Sequence, residues 1–166
     1  MEYNLRGAAL EASRLVTVTT LISSNEDRSR KGGYISFAIG GISHLESYQI
    51  GQVDAPAKLD KYLRFSREKI LRATADWLRD PNTFSSWQTR DPGMDRYGGA
   101  VLFENPEGEF PRAISFSGLK EHCDEAVALL TGEYLGLNPI RGSADIIQFS
   151  NNQVYREMVR FLEETM

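Results

Sequence analysis

The feature that most constrains the fold is a change of apolar period near the middle of the chain. After Pro56, apolar or small side chains recur at spacings of four and three residues: Leu59, Leu63, Ser66, Ile70, Ala73 and Trp77. This period is typical of one face of an α-helix. A proline is tolerated in a helical first turn, and Asp80-Pro81 predicts the helix end, because a residue before proline avoids the α region.

Strand-like segments lie on both sides of this long helix. Residues 32–40 and 44–54 have short apolar or alternating runs, joined by Gly-Gly-Ile-Ser, and predict one β-hairpin. Residues 99–104 and 110–117 flank an Asn-Pro-Glu-Gly turn and predict a second. Strands linked as hairpins favour an antiparallel sheet.

The remaining segments are mostly helical in pattern. Residues 5–22 carry an amphipathic stripe, although Val-Thr-Val-Thr-Thr at 16–20 would also suit a strand. A charged loop follows at 23–33. A third predicted helix places four residues on one side: Ala126, Val127, Leu130 and Tyr134.

The C-terminal part is expected to add a short strand and a last helix. Ala-Asp-Ile-Ile-Gln-Phe-Ser at 144–150 is a possible fifth strand, and Asn151 or Asn152 can cap the final helix. The apolar residues of that helix are Val154, Met158, Phe161 and Leu162.

Together these elements predict an α+β fold in the order α-β-β-α-β-β-α-β-α. Its antiparallel sheet of four or five strands, built from two hairpins, would be flanked by helices. We expect a single domain over residues 1–166, with 136–166 as a C-terminal extension packed on it.

Charge and cysteine content exclude several classes of function. With 19 basic and 23 acidic residues the net charge is −4, the wrong sign for general attraction to nucleic acid. The single cysteine, Cys123, excludes an intrachain disulfide and a multi-thiolate metal site, and favours a reducing compartment. Glu2 and Glu11 do not fit a signal peptide, and no apolar run suits a membrane span, so we expect a cytoplasmic protein without membrane association.

The chain has no strong catalytic motif, which makes an enzyme the less expected class. Its densest reactive segment is Ser115–Glu125, where a strand leads into a helix. Helix amides there favour an anion and can acidify a thiol. The candidate ligand-binding residues are Ser117, Gly118, His122, Cys123, Asp124 and Glu125.

The same segment has a purely structural interpretation. Its acidic residues can satisfy the helix dipole with no ligand and oppose thiolate formation, and Cys123 can be a small buried residue. A dyad of His122 with Cys123 is geometrically poor, because adjacent helical residues point about 100° apart. His44 would then have to be the partner of the thiol.

Three further features have a functional and a structural interpretation each. His44 is either a solvated loop residue or a haem or metal ligand. The second helix carries a basic tract that could meet a phosphate or carboxylate, but it is more simply a solvated surface; its members are Lys58, Lys61, Arg64, Arg67, Lys69 and Arg72. An aromatic set could roof a pocket or cover the core edge; it comprises Trp77, Phe84, Trp87 and Tyr97.

Residues 34–136 resemble the GlcG/HbpS-like family, which includes the glycolate-operon G protein and haem-binding sensor proteins. The matching pieces are Ser-Arg-Glu-Lys-Ile-Leu-Arg-Ala-Thr-Ala at 66–75, Gly-Gly-Ala-Val-Leu-Phe at 98–103, the turn at Gly108, Ala-Ile-Ser-Phe-Ser-Gly at 113–118 and Asp-Glu-Ala-Val-Ala-Leu at 124–129. The resemblance implies a single α+β domain, a tendency to oligomerise and, as in some members, binding of haem or another small molecule. No residue here matches a haem ligand.

Three hypotheses of function follow. The first is a small-molecule binding or sensing module of unknown ligand, with haem as one candidate cofactor. The second is a protein-interaction module without a small ligand, using the charged loop 23–33, the second helix or the last helix. The third is an enzyme that depends on Cys123 and a histidine. Strand edges in so small a sheet need covering, so we also expect a homodimer or larger homo-oligomer.

Overall fold

Five helices and four strands make up the described part of the chain, residues 2–40, 42 and 44–165 of a computed structural model. The helices are α1 (Leu5–Thr19), α2 (Pro56–Arg79), α3 (Glu121–Tyr134), α4 (Ser143–Ser150) and α5 (Gln153–Glu164). The strands are β1 (Lys31–Ala38), β2 (Glu46–Gln52), β3 (Ala100–Phe103) and β4 (Arg112–Ser117). None of the described helices has the length and apolar character needed to cross a membrane.

The four strands form one antiparallel sheet in the order β2-β1-β4-β3. The two predicted hairpins are present, and they join through β1 and β4, where Ile35 lies opposite Phe116. The α+β fold class is therefore confirmed, with four strands. The Gly-Gly-Ile-Ser joint of the first hairpin includes Gly41 and Ser43, which lie outside the described residues.

Helices cover both faces of the sheet. Alternate strand residues such as Ile35, Phe37 and Phe116 point into the larger core cluster, which also contains residues of α1 and α3. The residues of the opposite face, including Leu102 and Ala113, pack with Ile70 of α2 in a second cluster. The long periodic helix thus covers one face, and the first and third helices cover the other.

The ambiguous segment of the first helix is helical as far as Thr19. Val16 and Val18 are buried there, and burial against the sheet outweighs the weak β preference of branched residues. Asn4 begins the helix, since its side chain accepts a hydrogen bond from the Gly7 amide at 2.9 Å.

The prediction of a fifth strand at residues 144–150 is wrong, because this segment forms α4. Its buried residues are Ile146, Ile147 and Ser150, a spacing that fits one face of a helix. Asn151 ends the helix in the left-handed conformation with φ 53°. The next residue, Asn152, caps α5, and Met158 of α5 is fully buried in the larger core cluster.

Candidate functional site

The junction between β4 and α3 depends on a glycine. Gly118 has φ 141°, and a Cβ there would lie 2.2 Å from the carbonyl oxygen of Gly32. The end of β4 can therefore pack closely on the start of β1 only without a side chain at this position. The close approach at Gly118 is made to the protein's own backbone.

A cleft of about 240 Å³ opens beside this junction, between the start of α3 and the first half of α2. Three of the predicted site residues line it, namely Ser117, Gly118 and Asp124. The other lining residues are Arg30, Lys61, Tyr62, Phe65, Lys69, Tyr97, Leu119, Lys120 and Glu121. We call this space the junction cleft.

A buried ion pair forms the floor of the junction cleft. The Lys69 Nζ lies 3.3 Å from Asp124 Oδ2 and donates a hydrogen bond of 2.8 Å to the carbonyl oxygen of Phe116. The Leu119 amide donates to Asp124 Oδ1 at 2.9 Å. Lys69 is 1% exposed and Asp124 is 3% exposed. Burial raises the pKa of Asp124 to about 7, although Lys69 and the Leu119 amide act in the opposite direction.

The expectation that Lys69 lies on a solvated surface is wrong. Positions 66, 69, 70 and 73 are all buried on one face of α2, so the helical period already contained the signal. Room for the lysine is made by Gly99, where a Cβ would lie 2.7 Å from Lys69 Nζ. The solvated interpretation holds for Lys58, Lys61, Arg64 and Arg67, which are exposed.

Cationic side chains surround the cleft. Arg30 is paired with Asp27 at 3.1 Å and also donates to the Leu119 carbonyl oxygen. Within the described residues, Lys61 and Lys120 have no carboxylate at ion-pair distance. The cleft therefore presents two ammonium groups that the protein does not neutralise.

The second carboxylate of the cleft is also engaged within the protein. Glu121 pairs with Arg90 at 2.6 Å and accepts a hydrogen bond of 3.0 Å from the Gly98 amide. Burial acts to raise the pKa of Glu121, but Arg90 and the Gly98 amide outweigh it and hold this pKa below its usual value. The carboxylate thus stays ionised and bound to these partners at neutral pH.

An aromatic wall lies across from the helix start. It consists of Tyr62, Phe65 and Tyr97, and the ring centroids of Phe65 and Tyr97 are 5.6 Å apart. Lys61 Nζ lies 5.6 Å from the Phe65 centroid, which places a positive charge at the end of this wall.

His122 and Cys123 lie outside the junction cleft, in the lining of a separate cavity of about 310 Å³. Cys123 is 1% exposed, and burial, with a smaller effect from Asp124, raises its pKa to about 12. The His122 ring stacks on Trp87 with centroids 4.7 Å apart, and its Nε2 lies 2.8 Å from the Ser150 carbonyl oxygen. The thiol is a small buried group that remains protonated at neutral pH, as the structural interpretation predicted.

Glu125 lies in the interior, in the N-terminal half of α3, where it contacts Ser150 and Asn152 of the C-terminal extension. Its Oε1 accepts hydrogen bonds from the Ser150 hydroxyl and from Asn152 Nδ2, the latter at 2.9 Å. Within the described residues, Oε2 has no hydrogen-bond partner. Burial raises the pKa of Glu125 to about 7, while Asn152 and Ser150 act to lower it. This residue connects α3 to the C-terminal extension.

The other candidate residues, His44 and the aromatic set, also lie in different parts of the structure. His44 is exposed, and the part of the chain that the structure describes has no cluster of three or more His, Cys, Asp or Glu side chains suited to a metal ion. Haem binding stays a prediction. Among the aromatic set, Tyr97 lines the junction cleft, whereas Phe84 packs on Phe149 and Trp87 on His122.

No protein-family model, curated protein or solved structure matches the chain, so comparison with known proteins assigns it to no family. The resemblance to the GlcG/HbpS-like family stays a prediction. The junction cleft itself therefore provides the basis for a proposal of function.

Proposed function

We propose that the protein is a binding module for a small organic anion, which it holds in the junction cleft. The observation that carries this proposal is the charge of the lining. Four cationic side chains line the cleft with two carboxylates, and both carboxylates are paired within the protein. This local excess of positive charge occurs in a chain whose net charge is −4.

The position of the cations suits an anion rather than solvent alone. The cleft opens at the N-terminal end of α3, where the capping residue Lys120 provides no side-chain hydrogen bond to the first turn. Glu121 and Asp124 already place negative charge in this first turn, so the attraction for a ligand comes mainly from the cations around the cleft. Lys61 and Lys120 would add direct ionic contacts at the mouth, and the buried ammonium of Lys69 would add to the potential at the floor.

The aromatic wall supports an organic ligand over a bare inorganic ion. Tyr62, Phe65 and Tyr97 offer apolar surface beside the cations, with Lys61 over the Phe65 ring, so a ring or short hydrocarbon body could lie against this wall next to a charged group. A molecule such as an aromatic carboxylate fits this arrangement of one charged end and one flat apolar body.

A titration followed by NMR amide shifts and by calorimetry tests the proposal. We expect benzoate and phenyl phosphate to bind more tightly than inorganic phosphate, and neutral benzamide to bind least. Lys61→Gln and Lys120→Gln should each weaken benzoate binding by roughly two- to fivefold, the range expected for an exposed charge contact.

Arg156→Gln is the matched control, since it removes one positive charge from the exposed side of α5, away from the cleft. It should leave benzoate binding unchanged. Equal binding of benzoate and benzamide, or equal losses in the control and the cleft variants, would contradict an anion site at the junction cleft.

A further inference from the structure

Among the described residues, other segments of the chain cover one edge of the sheet but not the other. At the β3 edge, Leu102 donates a backbone hydrogen bond of 2.9 Å to the Phe84 carbonyl oxygen and accepts one of 3.1 Å from the Ile140 amide. Two neighbouring segments therefore cover that edge. At the other edge, β2 pairs with β1 alone among the described residues, and no isolated bridge reaches its outer side.

Exposed apolar surface lies directly beside the open edge. Leu10 of α1 is 74% exposed, and it lines a shallow groove of about 520 Å³. The other lining residues are Arg6, Ala9, Ser13, Tyr48, Gln49, Ile50 and Gly51, of which Ala9 and Ile50 are buried. An open strand edge is a liability in a folded protein, whereas a single exposed leucine is ordinary unless it adjoins such an edge. Here they occur at one place, which indicates a surface that is covered in solution.

We propose that β2 pairs in an antiparallel manner with the β2 strand of a second copy of this chain, so that two four-stranded sheets become one of eight strands. A two-fold axis perpendicular to the sheet relates the two copies. Because this axis leaves each face of the sheet on its own side, the α1 helices of both copies lie on the same face of the joined sheet. They are then next to each other across the axis. The two Leu10 side chains then cover one another.

The charges of the strand favour a second copy as the occupant. Glu46 is the only charged residue of β2 and lies at its first position. In a self-paired antiparallel arrangement centred on Gln49, Glu46 lies three residues from the centre in each copy, so the two carboxylates lie at opposite ends of the paired strands. The strand also contains neither lysine nor proline, the residues that usually protect an open edge from self-pairing.

Light scattering coupled to size exclusion and native mass spectrometry test this interface. We expect the unaltered chain to be a dimer at roughly 50 μM, a concentration at which micromolar association is mostly complete. Leu10→Lys removes the apolar contact and places two ammonium groups near the axis. Gln49→Lys puts like charges opposite each other on the paired strands. Each should weaken dimerisation at least about tenfold.

Leu78→Lys is the matched control, because Leu78 is also an exposed leucine, at 60%, but lies near the end of α2. It should remain dimeric, and all three variants should keep the melting behaviour of a folded chain at the same concentration. A monomeric unaltered chain at ~50 μM would overturn the proposal, as would a dimer that persists unchanged in both Leu10→Lys and Gln49→Lys. A dimer lost equally in the control would overturn it as well.

Discussion

Asp124 and Glu125 are neighbours in the sequence, yet they face opposite surroundings. Asp124 points to the junction cleft, where it meets the ammonium group of Lys69 and the Leu119 amide. Glu125 points away from that cleft and meets the neutral donors of Ser150 and Asn152. Burial raises the pKa of both carboxyl groups to about 7.

The difference shows how one turn of helix can serve two purposes. Adjacent helical residues point about 100° apart, so the Asp-Glu pair contributes one buried acid to the cleft and one to the contact with the C-terminal extension. The first is compensated by a charge and the second by hydrogen bonds. These two forms of compensation respond differently to mutation, whereas both acids make stability fall as the pH rises through about 7.

The largest expected effect comes from removing the cation of the first pair. Lys69→Met leaves Asp124 buried without its counter-charge, and loss of one partner from a buried ion pair typically costs about 3 to 5 kcal/mol of unfolding free energy. The loss should be greater at pH 8 than at pH 5, because protonation of Asp124 relieves it. Urea denaturation at the two pH values measures both effects.

The double variant Lys69→Met with Asp124→Asn provides the control. Asparagine keeps an oxygen for the Leu119 amide but carries no charge, so the double variant should recover much of the lost stability at pH 8. If the double variant is no more stable than the single one, Lys69 contributes through packing and not through charge.

The next effect concerns the second carboxyl group. The folded-state pKa of Glu125 is about 7 and its ordinary value is 4.5, so its contribution to stability is fully present below about pH 4.5 and is lost as the pH rises through about 7. The shift corresponds to roughly 3 kcal/mol at most. Glu125→Gln should be more stable than the unaltered chain at pH 8 and should show a weaker fall of stability between pH 5 and pH 8.

Asp124 contributes to this pH dependence in the same direction, so the variant should reduce the fall without abolishing it. Thermal and urea unfolding at several pH values measure the slope. An identical slope in the variant and the unaltered chain would mean that Glu125 titrates normally in the folded state.

The hydrophobic pattern was sufficient to predict the fold, because period and turn chemistry are local signals. The change of period at Pro56 and the two hairpins needed no tertiary information. The prediction of a strand at 144–150 is wrong because a short apolar run is compatible with both a strand and a helix. In the structure its buried residues, Ile146, Ile147 and Ser150, follow the spacing of one helical face.

Only part of the candidate site could be predicted from the sequence. Ser117, Gly118 and Asp124 were predicted from the strand-to-helix junction, and they do line the junction cleft. Lys69 pairs with Asp124, which is 55 positions away in the sequence. Because a lysine is rarely buried, the local pattern alone favours a solvated Lys69. The separation of His122, Cys123 and Glu125 from the cleft likewise follows from how α3 packs, which its sequence alone does not fix.

The smallest expected effect concerns the uncharged groups that donate hydrogen bonds to Glu125. Asn152 accepts a hydrogen bond from the Tyr155 amide at 2.9 Å and donates to Glu125 Oε1 and to the His122 carbonyl oxygen. Asn152→Ala removes a helix cap and a buried donor together, so it should cost about 2 kcal/mol of unfolding free energy. The loss should grow between pH 5 and pH 8, since the ionised form of Glu125 depends on that donor.

Asn4→Ala is the matched comparison. Asn4 caps α1 by accepting from the Gly7 amide, and the residue is exposed, with no buried acid among its hydrogen-bond partners in the described structure. It should cost about 1 kcal/mol, with the same loss at both pH values. Chemical denaturation of the two variants in parallel separates capping from support of Glu125. Equal losses with equal pH dependence would show that Asn152 acts as a cap alone, and the stabilisation of ionised Glu125 would then have to come from the Ser150 hydroxyl.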